Sequence, residues 1–169
     1  MVAAQKAVVV RRTREEDAEA LHTLSSAAIA RSAAGHYDQR QRAAWAGRRT
    51  QEGHRWMIRE TTTFVAVAGE EFAGFASVAL HPVGELQAGG GRPAVRRPGL
   101  GGRGVARLLL DAVSAAAAEA GLRELLTHAS WRAVPTVEAL GYCRCQTGKV
   151  QLGGVEFTRA VMRRAIPTT

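Results

Sequence analysis

Apolar positions recur along this chain with two alternating periods, and each change of period marks a new short strand or helix. Residues 7–12, AVVVRR, are rich in β-branched side chains and predict a first strand. Thr13 followed by Glu16 reads as an S/T-x-x-E capping box, opening a helix over roughly 14–31. Ala18, Leu21, Leu24, Ala28 and Ile29 lie along one face of it. A loop through Ala34-Gly35-His36-Tyr37 leads to a second helix, Asp38 to Arg48, and the ragged stretch around Gly53, His54 and Trp56 has room for another helical turn. The alternating segments 62–68 and 72–80, joined by Gly69-Glu70-Glu71, predict a β-hairpin.

Val83–Gln87 starts another strand, which three consecutive glycines and two prolines are expected to break. From Arg103 to Ala120 the pattern is helical, with Val105, Leu108, Leu109, Ala112, Val113, Ala116 and Ala120 on one stripe and Gly121 at the C-terminal cap. A strand over 122–130, a short helix over 134–140 capped by Gly141, and two strands, 142–152 and 155–163, around Gly153-Gly154 complete the order. That order predicts an α+β domain over residues 8–164, with a mostly antiparallel sheet, helices over its faces, and short tails at 1–7 and 165–169.

A length of 169 residues suits one such domain with a real core. No apolar run reaches the ~18 residues of a membrane span, and residues 1–6 lack a secretory apolar core, so the expected location is the cytoplasm. The net charge of +8 would suit nucleic acid or an anionic ligand. Only Lys6 and Lys149 are lysines, however, and the arginines are scattered from Arg11 to Arg164 with no dense basic tract. Nucleic acid is therefore not expected as the main partner. Cys143 and Cys145 are too close in sequence for an unstrained disulfide. No second such pair exists and the histidines lack metal-ligand spacing, so free thiols and no metal are expected.

The remaining charge candidate is the glycine-rich turn before the long helix. Gly99 to Gly104 literally spells G-x-G-x-x-G, but no good buried strand precedes it, and no acidic residue ends the strand that follows. A G-x-x-x-x-G-K-[ST] loop is excluded because the chain has no Lys-Ser or Lys-Thr. The underlying physics still applies: glycines allow close backbone approach, and free N–H groups at a helix N-terminus face an anion. Arg103 and Arg107 add formal charge at an end where arginine is locally unfavourable unless an anion binds.

Gly101-Gly102-Arg103-Gly104-Val105-Ala106 resembles the Q/R-x-x-G-x-G/A acetyl-CoA-binding segment of the GNAT superfamily of N-acetyltransferases, with Gly101 replacing the first Gln or Arg. THASWRAVPTVEALGYCRC resembles the family's following strand–helix–strand unit, Phe72–Ala76 its third strand, and Gly84–Gln87 the entry to its fourth. The likeness runs from about residue 8 to 164. It implies a central sheet of about six to seven strands with helices on both faces.

It further implies transfer of an acetyl group from acetyl-CoA to a primary amine by direct attack in a ternary complex. Gly101, Gly102, Arg103, Gly104, Val105, Ala106 and Arg107 would hold the cofactor's phosphates. Glu85 would be the proton acceptor that makes the amine a nucleophile, since an ammonium has no free pair. A backbone N–H of the fourth strand would polarise the thioester carbonyl. The family's Tyr acid falls on Val137, which has no proton to give, and its Asn on Arg132. Tyr37, Trp45 and Trp56 would line the acceptor site, and His81 and His128 are further proton carriers near the sheet. The family's fourth strand is apolar and splays to admit the pantetheine arm, whereas Ala88–Pro98 reads as a shortened strand with a loop, or as a local shift of reading frame. Two other functions stay open: a non-catalytic acyl-CoA binder, favoured by Val137 and by the interrupted fourth strand, and a basic nucleic-acid-associated protein, favoured by net charge alone. The acceptor's identity is not legible. The late strands could pair two copies into a homodimer, which periodicity does not decide.

Overall fold

The computed structural model describes residues 7–32, 37–47, 49–80, 84–90, 103–129, 131 and 133–167, with backbone alone for 28–32, 84–90, 103 and 152. Among the described residues seven strands run in the spatial order β1-β2-β3-β4-β5-β7-β6. They are β1 (Val8–Arg12), β2 (Thr62–Ala68), β3 (Glu71–Ala79), β4 (Gly84–Gly90), β5 (Glu124–Ala129), β6 (Cys143–Leu152) and β7 (Val155–Ala165). Two antiparallel halves, β1-β2-β3-β4 and β5-β7-β6, meet at a parallel contact of three Cα pairs between β4 and β5. The β6–β7 hairpin closes through Gly153 and Gly154, at φ 58° and 76°. Two successive positive φ values match the twist of the flanking strands and are open to glycine without strain.

The described α-helices that cover the sheet are α1 (Ala18–Ser32), α2 (Gln39–Gly47), α3 (Gln51–Glu60), α4 (Arg103–Glu119) and α5 (Val134–Ala139). Alternation along the strands sends neighbouring residues to opposite faces. Ala66, Ala76, Val78, Leu125 and Met162 pack under Leu109, Leu110, Val113 and Ala117 of α4 and Val134 of α5. Val65 and Phe75 face the other way, against Leu21 of α1 and Met57 of α3. Phe157 of β7 packs with Tyr37 and with Trp45 of α2. Burying Phe75 or Leu21 in this way contributes on the order of 1.5–3 kcal/mol each.

Three sequence expectations change. Glu16 does not cap the first helix. The Asp17 carboxylate instead accepts the Arg14 N–H at 2.7 Å and a bidentate pair from Arg11, while Thr13 Oγ1 donates to the Thr63 carbonyl. The segment around Gly53 is a full helix, α3, because Thr50 Oγ1 accepts the Gly53 N–H at 3.0 Å and His54 and Met57 supply a buried stripe. The strand begun at Gly84 does not stop at Gln87 but runs through Ala88, Gly89 and Gly90, paired with Ala76, Phe75 and Gly74. Residues 91–98 lie outside the described residues. Both cysteines are free and exposed, as expected. The β6–β7 register shifts between Arg144 and Gln146, leaving Cys145 as the extra residue of a bulge.

Candidate functional site

The parallel contact between β4 and β5 is short: Gly84 with Leu125, Glu85 with Leu126, Leu86 with Thr127. Beyond it both strands continue but no longer pair with each other. Gln87–Gly90 stay bonded to β3, and His128 and Ala129 stay bonded to β7. The sheet therefore opens into a mouth between two strand edges, each presenting backbone groups that its one remaining neighbour does not use.

Helix α4 joins these two parallel strands, so it runs back across the sheet and begins at the end where they separate. Its first turn carries no acidic residue. The free N–H groups there carry roughly half a positive charge. Gly104, Val105 and Ala106 are half-buried, and Arg107 is exposed, 3.6 Å from Asp111. Arg103 opens the helix, its side chain undescribed, and Gly101 and Gly102 lie outside the described residues. A crevice beyond the carboxyl ends of parallel strands, facing a helix N-terminus, suits an extended ligand with a phosphate at one end.

The opposite face of the mouth lies under α1, α2 and α3. Glu85 occupies the middle of the three β4–β5 pairs, level with Ala79 of β3, and its side chain is outside the described residues. His128 is the first β5 residue past the last pair; it is exposed and level with Val161 of β7. Tyr37 is buried, with its ring 5.6 Å from Trp45 and 5.5 Å from Phe157, while Trp45 is half-buried. Trp56 stands 61% exposed on α3, well outside such packing. His81 and Arg132 are among the undescribed residues. Val137, at the position of the implied acid, packs against the main core.

Sequence reasoning passed over a buried polar pair on this face. His54 Nε2 lies 2.9 Å from Ser25 Oγ, and His54 Nδ1 lies 2.7 Å from the Thr50 carbonyl. A carbonyl only accepts, so Nδ1 carries the proton and Nε2 receives the Ser25 hydroxyl proton. Burial holds the His54 pKa below its ordinary value. The signal available in sequence was Thr50 as an N-cap, four residues before the histidine. Among the described residues no cluster of histidine, cysteine or carboxylates is arranged to hold a metal ion. No described helix is long and apolar enough to cross a membrane.

No protein-family model matches the chain, and no curated protein matches it. Solved structures do. The GCN5-related N-acetyltransferase from Rhodopseudomonas palustris superposes with a TM-score of 0.83 at 23% identity, covering 96% of this chain and 98% of that one. The PaiA N-acetyltransferase from Thermoplasma acidophilum, in complex with coenzyme A, gives 0.74 at 15% identity over 94% and 99%. YncA of Salmonella typhimurium, solved with its cofactor acetyl-CoA, gives 0.62 at 18% identity over 96% of each chain. The structural neighbours of this chain are GNAT-family N-acetyltransferases, and its fold is theirs.

Proposed function

We propose that this protein is an acetyl-CoA-dependent N-acetyltransferase acting on a primary amine. The observation that carries the reading is the mouth between β4 and β5, opening beside the N-terminus of α4. The cofactor fits what is present. Backbone N–H groups of Gly104, Val105 and Ala106, with Arg103 and Arg107 beside them, suit a pyrophosphate. The β4 edge from Gln87 to Gly90 suits an amide-bearing arm, because Gly89 and Gly90 carry no side chains to block it. Acetyl-CoA supplies an acyl group already activated as a thioester.

The chain's own contribution is positioning and proton transfer. Glu85 is proposed to take the proton from the acceptor ammonium, from the roofed face of the sheet. His128, first past the last β4–β5 pair, stands at the same mouth as a second candidate proton acceptor. A backbone N–H of β4 beyond Leu86 is proposed to polarise the acyl carbonyl. No side-chain acid is assigned: a thiol with a pKa of about 8.5 is a tolerable leaving group near neutral pH without one. Tyr37 and Trp45 are proposed as a wall of the acceptor site.

Val137 favours a second reading, a CoA binder without turnover. Calorimetric titration with acetyl-CoA and desulfo-CoA tests the shared premise, and absence of binding sinks both readings. Thiol release in the presence of a panel of amines separates them. Turnover above hydrolysis supports the enzyme; binding without turnover supports the binder. Comparing Glu85→Gln with His128→Asn then identifies the proton acceptor, which is the variant that loses the acidic limb of the kcat/KM profile.

A further inference from the structure

Helix α2 packs on β7, and α3 packs on β2 and β3. In the sheet order, β4 and β5 lie between those strands. Arg49, which stands between α2 and α3, therefore lies over the two strands that separate. Arg159 flanks the same place. By strand alternation it shares a face with Phe157 and Val161, and it sits one residue beyond the Ala129–Ala160 pair, at the open end of β5.

The Arg49 guanidinium is half-buried, and among the described residues it makes no hydrogen bond or ion pair. The charged or titratable groups near it are Arg159 on β7 and His54 on α3, whose other ring neighbour is His22 of α1. Among the described side chains these are cationic or neutral, and Glu85 of β4, whose side chain is not described, lies on the same face of the sheet. The described carboxylates on the flanking elements are engaged elsewhere: Glu52 with Arg55 and Arg59, Glu15 with Arg59, Glu156 with Lys149. Desolvation and the neighbouring Arg159 both push the Arg49 pKa down. A second shielded guanidinium nitrogen, Arg42 Nε on α2, also has no partner among the described residues. A cation held out of water beside a like charge is costly unless an anion arrives to meet it. That anion is not the cofactor pyrophosphate, because α4 covers the opposite face of the sheet.

We propose that Arg49 forms the carboxylate-binding subsite of the acceptor pocket, so that the acceptor is a small amine bearing a carboxylate, the amino-acid class. The inference rests on the acetyl-transfer reading. A guanidinium fork matches a carboxylate in a bidentate way, and placing it over the mouth would hold the acceptor's amine end toward β4.

The test uses product analogues, so that it does not depend on turnover. N-acetylglycine, N-acetylmethionine and N-acetylphenylalanine are compared with their carboxamides by ligand-detected NMR, with and without CoA, on the wild-type protein and on Arg49→Gln. At least one acid is expected to bind the wild type about ten- to a hundred-fold more tightly than its amide, and Arg49→Gln is expected to abolish that preference. Thermal unfolding without ligand is expected to show Arg49→Gln at least as stable as wild type, because the variant removes an unpaired, desolvated charge. Equal binding of acids and amides, no binding by any acid, or a preference that survives Arg49→Gln overturns the proposal. A less stable Arg49→Gln also overturns it, since the arginine would then be structural. Failure of CoA itself to bind is read separately and strikes the acetyl-transfer reading.

Discussion

Replacing Tyr142 by phenylalanine is expected to stabilise the protein, although it deletes a polar group from the core. Tyr142 is 3% exposed among the α4-side core residues, and its Oη is shielded from solvent with no hydrogen-bond partner among the described residues. Arg164, the cation closest in effect, spends its own Nη1 on Ser114 Oγ at 3.1 Å. An unsatisfied buried hydroxyl forfeits its hydration, about 1–3 kcal/mol, with no bond to offset it. Phenylalanine keeps the ring and removes that cost. The expected gain is about 1 kcal/mol after some loss of packing, or roughly 2–4 °C in Tm for a chain of this size. Tyr142→Ala, which deletes the ring as well, is expected to lose about 3–5 kcal/mol. Urea unfolding at pH 7.5 measures both. Alkaline pH offers an internal check. Burial raises the Tyr142 pKa in the folded state, so its contribution is intact below the unfolded value of about 10 and is lost as pH rises above it. The wild type, but not Tyr142→Phe, should show that alkaline loss. A phenylalanine variant destabilised by more than about 1 kcal/mol would mean that Oη has a partner and that the reasoning is wrong. Loss of thiol release in a folded Tyr142→Phe would make Tyr142 the missing acid.

The remaining predictions concern acid pH, the helix start and one turn. Because His54 is held below its unfolded pKa of about 6.5, its stabilising contribution is fully present above that value and declines as pH falls, by at most ~1.4 kcal/mol per unit; urea midpoints at pH 7.5 and 5.5 should converge in His54→Gln. Arg103→Glu is expected to act with opposite signs, improving helix stability by about 0.3–1 kcal/mol and weakening CoA binding about five- to thirty-fold, read by calorimetry at low and high salt. Gly141→Ala is expected to cost about 1–2 kcal/mol, since φ at 141 is +92° and the new Cβ would meet Arg164 Nε at 3.4 Å; thermal unfolding measures it.

Elements with a strong period were legible from residue order. Helix α4, the β2–β3 hairpin and the Gly153-Gly154 turn fall close to where pattern and turn chemistry put them. The capping box misled because Thr13 and Asp17 both had longer-range partners, the Thr63 carbonyl and Arg11, which no local motif encodes. Helix α3 was underread because its apolar stripe is thin: of the described residues, only His54 and Met57 are buried, and one of them is polar. The placement of Arg49 was out of reach for a different reason. It follows from which strands α2 and α3 choose, and that is set by tertiary packing.

The fourth strand shows most clearly how a local rule can be right about propensity and wrong about structure. Glycines weaken a strand that must hold itself together by side-chain packing, so a run of them reads as a break. From Gln87 onward, however, β4 has surrendered its β5 neighbour and is held on one side only, by β3. What the open edge needs is bare, regularly spaced backbone rather than bulky side chains facing a partner strand. Gly89 and Gly90 leave that edge unobstructed while Phe75 and Gly74 on β3 keep the spacing. The composition that looked like damage is thus compatible with the opening, and the same few residues account for both the poor sequence signal and the candidate site.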